Sequence, residues 1–185
     1  ILLPVFTIVV SERANKLIPQ HSFKQLLHNL WVLVKDKHMW YAGMTGCFLY
    51  TSLAVFPDQW GIQYLAARMG MTSDAAASLN MLVYMGWLFG GPLNGLISAR
   101  LRSRRKPLIV SAVLCAVMFM LIFYIPNPSH LVMGTLLFLL GFVSSAQVLV
   151  FAIGRERARS GSTGSAIGLI NLMVMLSGMI IAPVV

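Results

Sequence analysis

The polar side chains that interrupt the long apolar stretches of this sequence are hydroxyls and amides. They are Tyr41, Thr45, Tyr50 and Thr51 in one stretch, Asn80 and Tyr84 in the next, Ser144, Ser145 and Gln147 further on, and Asn171 near the end. Such groups hydrogen-bond either a small solute or a neighbouring helix, since an unsatisfied polar group in an apolar medium is costly. No Asp, Glu, Lys, Arg or His lies in the middle of any of these stretches. A nucleophile with its base therefore has no candidates, and neither does ion coupling through a carboxylate held in an apolar span. His21, His28, His38 and His130 all fall in loops or at stretch ends, where a satisfied interfacial histidine outweighs a proton relay. No GxxxxGK[ST] phosphate loop and no metal-ligand spacing is present, so the chain is not read as an enzyme and no cofactor is implied.

The elements that must position these groups follow from composition. Hydrophobic residues make up 58% of the chain and charged residues 10%. A soluble domain carries roughly a quarter charged residues, so most of this surface must face something other than water. The net charge of +9 sits in short segments between apolar blocks, without the interleaved aromatics of a nucleic-acid groove, so no nucleic-acid partner is implied. Cys47 and Cys115 lie far apart inside apolar blocks and read as small hydrophobes.

Residues 1–10 read as the end of a preceding transmembrane helix, a remnant of it. Residues 11–38 form a polar linker, in which Ser22-Phe23-Lys24-Gln25 has capping-box form. Phe23, Leu26, Leu27, Leu30, Trp31 and Val34 follow at one-face spacing, predicting an amphipathic helix along the membrane surface or beneath the bundle. Residues 39–185 hold five spanning candidates. The first covers 39–57, with Pro57 as a kink past which Trp60, Ile62, Tyr64 and Leu65 continue an apolar face. The second covers 75–98, capped by Ser73 or Asp74, with Gly86, Gly90, Gly91 and Gly95 in small-xxx-small spacing. Pro107 opens the third at its first helical position, the fourth runs from about Ser129 to Ile153, and Thr163 or Ser165 opens the fifth. Each is long enough for a hydrocarbon layer of ~30 Å at about 1.5 Å per residue. The fold class is an all-α, polytopic membrane helix bundle: five full transmembrane helices, a helix remnant and a cytoplasmic amphipathic helix.

Lys and Arg divide thirteen to one between alternate loops. Residues 11–38, 99–107 and 154–162 hold thirteen, and Arg68 stands alone on the other side. That asymmetry places the three basic segments in the cytoplasm.

The segment Gly95-Leu96-Ile97-Ser98-Ala99-Arg100-Leu101-Arg102-Ser103-Arg104-Arg105-Lys106 resembles the G-x-x-x-D-R-x-G-R-R loop motif of the major facilitator superfamily. Gly95, Arg100, Leu101 and Arg104 match, whereas Ala99 replaces the acid and Arg102 the second glycine. Trp60 to Leu65 and Thr163 to Asn171 resemble further stretches of family members. The resemblance implies the carboxy-terminal half of a secondary transporter, with the amino-terminal half and the last helix lying outside this sequence. It implies alternating access, a small-molecule solute with or without a coupling ion, and a multi-pass position in a lipid bilayer, the bacterial inner membrane being the expected one. Tyr41, Thr45, Tyr50, Thr51, Asn80, Tyr84, Gln147 and Asn171 are then the cavity candidates, and the third span is a lipid-facing support. Gly95, Arg100, Arg104 and Arg105 form the cytoplasmic motif, and Glu156 is the acid within reach of its arginines now that Ala99 cannot serve. A non-transporting scaffold or sensor of the same fold is the alternative, in which the mid-span polar groups are buried between helices.

Overall fold

The computed structural model describes residues 23–158 and 162–181, and the elements among them are all helical. The remnant at 1–10, the capping hydroxyl of Ser22 and the basic Arg159 lie outside the described residues.

The amphipathic helix α1 spans Phe23–Lys35. Of its predicted stripe Leu27 and Trp31 are exposed while Leu30 and Val34 are half-buried, and among the described side chains of the helix the buried one is Leu33. A half-exposed apolar face suits a helix lying at an interface, and Lys35 Nζ sits 4.9 Å above the Trp31 ring. Asp36 breaks the helix and caps the next, accepting from the His38 amide at 2.9 Å.

Helix α2 (Lys37–Ala54) runs through a π-helical turn at Phe56–Trp60 into α3 (Gly61–Met69). Pro57 has no N–H, so the regular ladder cannot pass through it, and the widened turn absorbs the defect without ending the helix. Gly70, at φ +62°, closes α3 in the left-handed conformation that glycine adopts freely. Helix α4 (Ser73–Arg100) is capped by the Thr72 hydroxyl, not by Ser73 or Asp74 as the sequence suggests. Helix α5 (Arg105–Tyr124) starts two residues before Pro107, which therefore sits within the first turn.

Helix α6 (His130–Ser144), capped by Ser129, tightens into a 3-10 turn at Ser145–Val148 and continues as α7 (Leu149–Arg157), a turn past the predicted end. Helix α8 (Thr163–Ile181) begins at one of its two predicted starts. Among these helices, α5 and the His130–Arg157 stretch are long and apolar enough to cross a membrane by that measure alone. Helix α4 has the length, 28 residues, but Asn80, Asn94 and Ser98 interrupt its apolar run.

Helix α4 lies on α6, α2 on α8, and α5 against α6. The α4–α6 contact is backbone to backbone. A Cβ on Gly86 would overlap the Phe138 carbonyl oxygen, one on Gly90 the Phe142 carbonyl, and one on Gly141 the Val83 carbonyl. Asn94 locks the same interface, its Nδ2 donating to Phe142 O at 3.2 Å and Ser145 Oγ at 3.0 Å. Gly95 and Gly91 meet nothing within 4 Å, so the second glycine pair takes no part in this contact. Only 28% of the apolar window of α5 is buried, against 56% for α6–α7, so α5 is the more peripheral of the two.

Candidate functional site

Two clusters of polar groups stand out, one at the π turn and one at the basic end of the bundle. A π turn inserts one residue into the helix. Eight regular residues would set Asp58 about 80° around the axis from Tyr50; with one absorbed by the wide turn, the offset falls to about 20°. Asp58 thus belongs to the helical stretch from Lys37 to Met69. The Tyr84 hydroxyl of α4 donates a short hydrogen bond to Asp58 Oδ1, and Tyr50 is an electrostatic neighbour of that phenol. Asp58 stands just past the first span as read from the sequence, 39–57, on the continuation beyond the Pro57 kink.

Asn80 is 4% exposed and serves the same turn. Its Nδ2 donates to Pro57 O at 2.8 Å, a carbonyl in the turn where Pro57 breaks the regular ladder. Gly61 leaves room for that amide, since a Cβ there would strike Asn80 Oδ1. Asn80 therefore packs inside the bundle. Gln147, on the 3-10 turn and also 4% exposed, is packed inside as well.

The other candidates divide. Thr45 Oγ1 donates to Tyr41 O at 2.7 Å and Thr51 Oγ1 to Cys47 O at 2.9 Å, each spending its hydroxyl on its own helix. Both line an apolar cleft of about 640 Å³ between α2–α3 and α5, with Phe56, Trp60, Phe119 and Phe123. Tyr41, Tyr84 and Asn171 are exposed, and Tyr50 is half-buried. The structure joins Tyr84 to Asp58 and Asn80 to Pro57; it does not gather all eight candidates into one site.

At the basic end, Arg104 is the centre. Its Nε donates to Glu156 Oε1 at 3.0 Å and its Nη2 lies 2.9 Å from the same oxygen, tying the α4–α5 loop to the last turn of α7. Nη1 donates to Ser98 Oγ at 3.1 Å, and Ser98 in turn donates to Ser103 O at 3.1 Å. Arg157 reaches Asp36 at 3.9 Å, bringing the start of α2 into the network. Arg100 and Arg105 are exposed and make no ion pair among the described residues. At the opposite end, Arg68 Nη2 donates to Ile125 O at 2.8 Å and Tyr64 donates to Ile122 O at 3.0 Å, where a cation complements the carboxy terminus of α5. Asp36 was not legible as a partner in the sequence, because Arg157 lies far along the chain from it, and Ser98 was missed although its partners stand only five and six residues away.

A loop of arginines pinned to the end of a neighbouring helix, in an all-helical bundle, is the arrangement that the motif resemblance predicts. The family model described as Major Facilitator Superfamily matches residues 1–183. The chain belongs to the major facilitator superfamily. Comparison with curated proteins and with solved structures gives no match. As a superfamily member it is a membrane transporter of the major facilitator type, and the family is not enzymatic.

Proposed function

We propose that this chain forms the carboxy-terminal half of a secondary active transporter that moves a small solute by alternating access. Residues 39–185 then supply five spans: α2–α3, α4, α5, α6–α7 and α8. Residues 1–10 end the preceding span, and residues 11–38 form the cytoplasmic linker. The bacterial inner membrane is the expected location.

The observation that carries this reading is the bracing of the bundle at both ends. Arg104–Glu156 and Arg157–Asp36 tie the α4–α5 loop, α7 and the start of α2 at the basic end, Arg68 and Tyr64 hold α5 at the other, and glycines fuse α4 to α6 between them. A bundle pinned in this way moves as one body, which rocking against a partner half requires. On this reading Arg104 of the α4–α5 loop anchors a rigid half, since both of its side-chain partners among the described residues, Ser98 and Glu156, lie in the same half. Tyr50, Tyr84 and Asn171 are the groups offered to solute, while Asn80, Gln147, Thr45 and Thr51 serve the fold.

The test is water access at mid-helix. In the full-length protein in proteoliposomes, Asn171→Cys reacts with a membrane-impermeant maleimide, whereas Val113→Cys, at matching depth on peripheral α5, stays inert. Equal inertness of the two favours the scaffold reading and rejects transport through this face.

A further inference from the structure

We propose that Asp58 is a binding site for a monovalent cation within the membrane-embedded part of the bundle, built by the π turn and completed by Tyr84. The proposal rests on the transporter reading in one respect, that α2–α3 and α4 lie in the bilayer. Helix α4 has 28 residues, about 42 Å at 1.5 Å per residue, and Tyr84 stands within about 4 Å of its midpoint. Its side chain leans towards the helix amino terminus, so the phenol and the Asp58 carboxylate lie between the midplane and the Thr72 end. An ionisable side chain at that depth is expensive and marks an ion or substrate path.

Two features point to a cation. The phenol donates and the carboxylate accepts, the arrangement suited to an ionised aspartate. Among the described residues no Lys or Arg pairs with it, and an ionised carboxylate in a medium of low dielectric needs a counter-charge. Carboxylate and phenol oxygens are hard donors, and one negative charge matches one positive charge. Asp58 and Tyr84 are both exposed, so the site is open to an arriving ion. The π turn is what makes it: it brings the acid round towards the face of Tyr50 and onto the phenol of α4.

The positive charge has two sources, a coupling ion such as sodium or an ammonium group on the solute. Equilibrium binding of radioactive sodium and of radioactive methylammonium to the purified full-length protein separates them. Saturable sodium binding that Asp58→Asn weakens by roughly 30-fold or more assigns a coupling-ion site. Saturable methylammonium binding with the same sensitivity, and none for sodium, assigns the solute's own charge. Asp58→Glu retains binding in either case, and Tyr84→Phe, which removes only the phenol donor, weakens it by about threefold to tenfold. Binding of neither cation to the unmodified protein overturns the proposal, as does binding that Asp58→Asn leaves unchanged. Should Asp58→Asn fail to fold, unaltered affinity in Tyr84→Phe overturns it. Binding needs no flux, so a protein that binds sodium at Asp58 but moves no solute would reject the transport reading and leave this one standing.

Discussion

At the basic end of the bundle the Ser98 hydroxyl donates to the Ser103 carbonyl and accepts from Arg104, with the residue 1% exposed. The Arg104–Glu156 pair beside it is more open, its side chains 32% and 51% exposed. An exposed pair is worth about 0–1 kcal/mol, whereas a buried polar group left without its partner costs about 1–3 kcal/mol. Ser98→Ala is therefore expected to lower the melting temperature of the detergent-solubilised protein more than Glu156→Gln does. The reverse order would show that the ion pair, and not the hydroxyl, holds the loop. Asn80 follows the same logic at the π turn, where its amide satisfies a carbonyl that would otherwise lie buried.

Among the elements, α4 and α6 show how closely two helices approach when glycine lies between them. The small-xxx-small spacing marks α4 as a packing helix, yet only its Gly86 and Gly90 meet α6. Gly86→Ala drives a methyl into the Phe138 carbonyl, so folded yield in detergent is expected to fall sharply. Gly95→Ala meets open space in the last turns of the same helix, and alanine's higher helix propensity is expected to leave the melting temperature unchanged or raise it by the equivalent of ~0.5–1 kcal/mol. A comparable loss from both substitutions would contradict the assigned packing faces. Gly95 retains its place in the loop motif without a packing role.

For the whole molecule, the thirteen-to-one division of basic residues predicts a definite orientation in the membrane. Ser73→Cys, at the exposed start of α4, is expected to react with an impermeant reagent added outside intact cells, and Arg105→Cys only after permeabilisation. The opposite pattern would invert the bundle. Orientation also fixes the route to Asp58. With Thr72 outside, the Asp58 site lies nearer the outer surface, and sodium is expected to reach it from that side first.

Sequence alone determined the helical class, the linker helix, the kink at Pro57, the basic loops and the superfamily, because these are local. Apolar runs, a proline and clustered arginines act on the chain within a few residues of themselves. Helix ends were legible to within a turn, as Thr163 and Ser129 show, while the cap of α4 fell to Thr72 in place of its neighbours. Only the tertiary structure decided which polar groups face inward. Asn80 and Gln147 read like Asn171 in the sequence, yet the first two are buried and the third is exposed. It also placed Asp58 on a helix opposite Tyr84, a partner 26 positions along the chain. Burial and pairing of this kind depend on the phase of one helix against another. A single inserted residue in a π turn shifts that phase by about 100°, a rotation that no local pattern of residue types encodes.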